Sequence, residues 1–141
     1  MRSIETPEGL LLFDRRTGMN VLLDELKNKD ATWRRPLYVA LAITNHCNRE
    51  CRWCYASSGP GCPLESFWTR NKVLNLAKSL DDFGILGIAL GGGEPFTYPN
   101  FAQLCREIWD STELDVGATT NGDLVTDEDL ATLKGDRKSV V

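Results

Sequence analysis
Three of the five cysteines in this 141-residue chain fall within eight positions, in the run CNRECRWC at 47–54. Cys47, Cys51 and Cys54 are spaced C-x3-C-x2-C, with the aromatic Trp53 directly before the last. Thiolates this close together hold soft metals, either zinc or an iron–sulfur cluster. Complete cysteine ligation of a four-iron cluster needs four thiolates, so three would leave one iron with an open position, as a catalytic metal site requires. Structural zinc is the other reading, since Cys51 and Cys54 make a common half-site and His46 or Cys62 could be the fourth ligand. His46 adjoins Cys47, and adjacent residues rarely reach one metal together; a polar loop histidine and a free Cys62 thiol are the simpler assignments. A disulfide scheme fits poorly, because five cysteines leave one over.

Two other runs stand out: GGGEP at 91–95 and TTNG at 119–122. Taken singly, the first is a flexible glycine-rich turn and the second an Asn-Gly turn signal. Their positions relative to the secondary-structure pattern give them more weight. PLYVALAIT at 36–44 is a near-continuous apolar run of strand length, as expected of a strand covered on both faces. From about Ser66 to Phe83 the period lengthens, and Val73, Leu76, Ala77, Leu80 and Phe83 predict one face of a helix, ended by Gly84 in a left-handed cap. ILGIAL at 85–90 reads as a second strand. A helix is expected over about 99–110, with Pro99 in its first turn and Phe101, Leu104, Cys105, Ile108 and Trp109 as its apolar stripe. Cys105 is therefore a core residue, and Trp33, Trp68 and Trp109 read as packing residues.

ELDVGATT at 113–120 predicts a third strand, with Leu114, Val116 and Ala118 alternating, and TDED opens a last helix that runs to Gly135. Strand–helix units repeated three times imply an α/β fold with a parallel sheet. CNRECRWC, GGGEP and TTNG each follow a strand, at the edge where parallel sheets build their sites. Residues 1–35 form an extension, in which LLLFDRRTGMNVLL suggests a hairpin around RRTG, a helix through NVLLDELK being the alternative. RKSVV at 137–141 resembles the opening of a fourth strand. Residues 36–141 therefore read as the first half of a partial (β/α) barrel, broken off after about three units, as a fragment, a truncated product or a chain completed by a partner.

Composition narrows the function classes. At 42% hydrophobic and 26% charged the chain is an ordinary globular protein. A net charge of −4 without clustered Lys and Arg argues against a nucleic-acid partner. No stretch approaches the roughly 20 apolar residues of a membrane span, and MRSIETPEGLLLF does not read as a signal peptide, so a cytoplasmic, thiol-reducing setting is expected.

CNRECRWC, GGGEP and TTNG in this order resemble the radical S-adenosylmethionine (radical SAM) superfamily, over about residues 36–135. The tail CYASSGP is similar to the branch with cysteine-rich carboxyl-terminal extensions. The resemblance implies that Cys47, Cys51 and Cys54 hold a 4Fe–4S cluster, whose fourth iron is chelated by S-adenosylmethionine. One-electron reduction would cleave that molecule to methionine and a 5′-deoxyadenosyl radical, which takes hydrogen from a small-molecule or peptide substrate; an electron donor is implied. It further implies that Gly91, Gly92 and Gly93 let backbone approach the bound methionine, that Glu94 accepts from its ammonium group, and that Pro95 fixes the turn. Trp53 would lie near the adenine and Asn121 at the same edge. A non-catalytic zinc- or cluster-binding module is the alternative from another class.

Overall fold
The computed structural model describes residues 1–6, 9–17, 19–24 and 36–134. Trp33, Gly135 and the RKSVV run lie outside the described residues. Two three-stranded sheets organise the chain. The first is antiparallel, in the order β1 (Arg2–Thr6), β2 (Gly9–Asp14), β3 (Met19–Asp24). The expected hairpin is present as β2 and β3, and residues 19–24 are strand rather than helix. Strand β1 carries no apolar run that would announce it; only Ile4 is buried along RSIET.

The second sheet is parallel, ordered β4 (Tyr38–Thr44), β5 (Gly87–Gly92), β6 (Asp115–Ala118), and helices α1 (Arg70–Phe83) and α2 (Phe101–Ser111) connect its strands. Helix α3 (Asp127–Leu133) follows β6 and opens with the expected capping box between Thr126 and Asp129. It ends at Leu133, not at Gly135. Gly84 stops α1 at φ 91°, the left-handed conformation foreseen for it. Pro99 precedes α2 rather than entering it, because Asn100 turns the chain at φ 54°. Strand β5 is displaced two residues from ILGIAL, starting at Gly87 and taking in Gly91 and Gly92.

Side-chain alternation splits the parallel sheet into two unlike faces. Ile43, Ile88, Leu90, Val116 and Ala118 share one core with Val73 and Ala77 of α1, the apolar stripe of α2 and Leu133 of α3. The opposite face carries cross-strand rows of small residues, Ala40–Ala89–Gly117 and Ala42–Gly91, and Ala40, Ala42 and Ala89 are exposed. Among the described residues strand β4 is thus covered on one face; its run looked doubly buried because alanine counts as apolar without needing burial. In α1, Phe83 is 62% exposed, while Leu74, outside the expected stripe, packs on the core. Phe83 adjoins the Gly84 turn, where the helical face ceases to point inward.

The amino-terminal sheet closes the end of the parallel sheet opposite the cysteine loop. Ile4, Leu11 and Phe13 pack with Leu37 and Leu86, residues that precede β4 and β5. Two arginines reinforce the joint at helix carboxyl ends, where orphan carbonyls need donors. Arg2 donates to the Asp81 carbonyl at 3.0 Å, to the Ile85 carbonyl at 3.2 Å and to the Asp81 carboxylate at 2.8 Å. Arg15 donates to the carbonyls of Trp109 and Thr112 and stacks 4.4 Å from the Trp109 ring centre. No helix among the described residues is long and apolar enough to cross a membrane.

Arg15→Ala removes two carbonyl contacts and a cation–π stack, and is expected to lower unfolding free energy by about 1–3 kcal/mol. Arg70→Ala, which breaks an exposed pair with Glu107, should cost less than about 1 kcal/mol. Parallel urea melts check the ranking, and equal losses would contradict it.

Candidate metal centre
The three runs singled out in the sequence meet at one edge of the parallel sheet. After β4 the chain enters the cysteine loop, whose base is closed by a bridge between His46 and Gly59 and by the Cys47 N–H donating to the Gly59 carbonyl at 3.3 Å. His46 Nδ1 donates to the Cys62 carbonyl at 2.8 Å, so this ring serves loop closure. A carbonyl only accepts, which fixes the proton on Nδ1.

GGGEP lies directly against this loop. The Gly93 N–H donates to the Thr44 carbonyl at 2.7 Å and the Glu94 N–H to the His46 carbonyl at 2.9 Å. A Cβ on Gly92 would stand 2.2 Å from the Thr44 oxygen, at φ 116°, and one on Gly93 would stand 2.1 Å from the His46 oxygen. These two glycines are required by the protein's own backbone. Of the three, only Gly91 borders open space, where a Cβ would have nothing within 4 Å. The three glycines were expected to act alike toward a ligand; the fold divides them.

Glu94 is 1% exposed, yet its carboxylate is well partnered. One oxygen accepts from the Phe96 N–H at 3.1 Å and the Thr120 hydroxyl at 2.7 Å, the other from the Asn121 N–H at 2.8 Å. These bonds offset the desolvation of a buried carboxylate and tie β5 to the TTNG segment. Pro95 is buried and begins a short 3₁₀ turn, Pro95–Thr97.

Among the cysteines, Cys51 is exposed and Cys47 and Cys54 are half-buried. Backbone N–H groups of Ser58, Ala56 and Ser57 hold the Cys54 thiol below its ordinary pKa by stabilising the thiolate. The Cys47 sulfur instead faces the Arg49 N–H at 3.5 Å and Asn121 Nδ2 at 3.9 Å. Among the described residues, no group of three or more His, Cys, Asp or Glu is arranged to hold a single metal ion. A cluster offers each thiolate its own iron, so its ligands need not converge on one point as those of zinc must. On the same loop the Ser58 hydroxyl is buried and has no hydrogen-bond partner among the described residues. Three thiols, inward-facing N–H groups and an orphan hydroxyl make a donor set that fits an anionic, sulfide-rich group.

Trp53 is 85% exposed. Asn121 bridges loops, its Nδ2 donating to Asn48 Oδ1 at 2.8 Å. Sequence reasoning missed Arg49 and Asp123, which pair at 2.5 and 2.6 Å across that same gap. Each keeps its charge more firmly for it: the pairing lowers the pKa of Asp123 and raises that of Arg49. Separated by 74 positions, the pair leaves no local signal. Cys105 is buried in the core, as expected, and Cys62 is a half-buried free thiol.

Comparison with known proteins agrees with this layout. The family model of the radical SAM superfamily matches residues 41–139. GTP 3′,8-cyclase of Moorella thermoacetica is 35% identical over 98 residues, 67% of this chain and 30% of the relative. A probable GTP 3′,8-cyclase of Methanocaldococcus jannaschii is 31% identical over 103 residues, 73% and 34% of the two chains. The chain thus spans about a third of the length of these relatives. Streptococcus suis SuiB bound to S-adenosylmethionine superposes on 98% of this chain and 44% of its own with a TM-score of 0.70; at 13% identity this is a likeness of fold. SuiB bound to the precursor peptide SuiA gives 0.69, covering 98% and 45% of the two chains at 13% identity.

Gly93→Ala should destabilise the fold by roughly 2–4 kcal/mol through its clash with the His46 carbonyl. Gly91→Ala should leave stability unchanged or raise it by up to about 1 kcal/mol. Urea unfolding checks both, and equal effects would refute the division of roles. In the metal-free reduced chain, the pH midpoint for iodoacetamide alkylation of Cys54 should be lower when the chain is folded than when it is unfolded in urea, since a lowered pKa enlarges the thiolate fraction. Peptide mass spectrometry across a pH series measures it; an equal or higher midpoint in the folded chain would contradict stabilisation of the thiolate by the loop N–H groups.

Proposed function
The chain belongs to the radical SAM superfamily, whose cofactors are a 4Fe–4S cluster and S-adenosylmethionine, and we propose that it serves the reductive cleavage of S-adenosylmethionine. The observation that carries this reading is the junction of the cysteine loop with the glycine edge of β5, beside Gly91, which alone of the three glycines in that run opens onto unfilled space. When bound, the cluster supplies the electron that splits the sulfonium and yields the 5′-deoxyadenosyl radical.

The chain's own residues bind and orient. Cys47, Cys51 and Cys54 would hold the cluster, and the N–H groups around Cys54 favour its thiolate form before any metal arrives. Gly91 would leave room for the methionine part of S-adenosylmethionine. A carboxylate offers about four acceptor sites, and Glu94 has three filled by the protein. One remains for an ammonium group. Glu94 would therefore both fix the edge and take a single ligand contact. Trp53, being exposed, would be available to cover an adenine ring.

The rows of small residues Ala40–Ala89–Gly117 and Ala42–Gly91, with exposed alanines and half-buried glycines, support a partial barrel in residues 36–141, with these residues facing its interior. Further strands, from more of the chain or from a partner, would complete it. The relatives' names concern a nucleotide and one structural neighbour binds a peptide, so the chemistry they share stops at the cofactor. We assign the substrate no further than a small molecule or peptide, with an electron donor for reduction and a cytoplasmic, reducing setting.

Anaerobic reconstitution with iron and sulfide tests the reading. The expected result is a brown protein that releases 5′-deoxyadenosine on reduction with dithionite in the presence of S-adenosylmethionine, while Cys47→Ala forms no stable cluster. Tight stoichiometric zinc without the colour would overturn it in favour of a zinc module.

A further inference from the structure
We infer that Asp123 is a positioning residue that aims two N–H donors at the Cys47 sulfur and thereby raises the reduction potential of the cluster; the inference rests on the reading above. Asp123 lies in the turn between β6 and α3, far along the chain from the cysteines. Its carboxylate accepts from Arg49 Nε at 2.6 Å, Arg49 Nη2 at 2.5 Å and Asn48 Nδ2 at 3.1 Å. The two residues directly after Cys47 are thus both held by one distant carboxylate. Asn48 in turn accepts from Asn121 Nδ2 at 2.8 Å. The Asp123 N–H donates to Asn121 Oδ1 at 3.0 Å, which fixes the orientation of that amide.

The network converges on the Cys47 sulfur. Among the described residues its two N–H neighbours are the Arg49 backbone and the Asn121 side chain; the Asp123 carboxylate holds Arg49 directly and Asn121 through Asn48, while the Asp123 backbone N–H holds the Asn121 amide oxygen. The side chains of Arg49 and Asp123 are 50% and 38% exposed. Pairs so exposed add little to folding, typically under about 1 kcal/mol. A five-bond arrangement of small energetic value at the ligand loop is better explained by what it aims than by what it stabilises. N–H groups directed at a ligating sulfur stabilise the more negative, reduced cluster and raise its potential.

The sign of the effect separates positioning from plain charge. Deleting a carboxylate near a cluster would by itself make reduction easier. Loosening of the N–H···S contacts, that of Arg49 directly and that of Asn121 through Asn48, makes it harder. The chain reconstituted with iron and sulfide, without S-adenosylmethionine, is titrated by EPR-monitored redox potentiometry as wild type, Asp123→Ala and Asp127→Ala. Asp127 sits at the start of α3 and serves as a charge-matched comparison.

The expected result is a more negative midpoint in Asp123→Ala at full iron content, altered g-values of the reduced cluster, and no fall in Asp127→Ala. An unchanged or higher midpoint in Asp123→Ala overturns the inference and leaves the proposed function standing. Absence of a cluster in the wild-type chain overturns both. Should Asp123→Ala fail to fold, Asp123→Asn carries the same expected sign and the same overturning result.

Discussion
Backbone contact without clearance between the end of β5 and the exit of β4 is the constraint on which the edge depends. The Gly93 N–H reaches the Thr44 carbonyl at 2.7 Å and the Glu94 N–H reaches the His46 carbonyl at 2.9 Å. Such approach leaves no volume for a Cβ at residue 92 or 93. Because Thr44 and His46 lie within three residues of Cys47, any change in this contact is passed directly to the loop that bears the thiols. The parallel ladder ends here with a register shift between Ala42 and Thr44, and the glycines continue the pairing where a regular strand could not.

Glu94 carries the constraint onward to the third strand. Its amide is fixed by His46 and its carboxylate by Phe96, Thr120 and Asn121, so one residue joins β4, β5 and the segment after β6. A buried carboxylate deprived of these donors would be strongly unfavourable, so the three segments must be together before it can be buried. Asn121 then extends the same connection back to Asn48 and the Cys47 sulfur. The edge is a closed circuit through three strands, not three separate motifs.

Much of this was legible in the sequence, and the remainder was not for identifiable reasons. Cysteine spacing, the periodicity of α2 and the Thr126 capping box are local signals, and the structure carries each of them. Strand β1 went unread because its pattern buries one side chain in five. Phe83 followed the helical period yet points outward, since periodicity cannot say where a helix leaves its neighbours. The glycine run showed that close approach was needed but not by what; two of the three answer to backbone and one to open space. Arg49 and Asp123 look like ordinary surface charges, and only the fold brings them together.

Stability and site organisation are placed at opposite ends of the parallel sheet. At one end, Arg2 and Arg15 cap the carboxyl termini of α1 and α2 beneath a small apolar core that includes Leu86. At the other, apart from Glu94 and the glycines, the contacts are half-exposed polar bonds that contribute little individually. This division means that thermal stability is a poor guide to the state of the site. Substitutions in the Asn48–Arg49–Asn121–Asp123 network act on loop geometry, and the quantities that respond to loop geometry are binding and potential, not melting temperature.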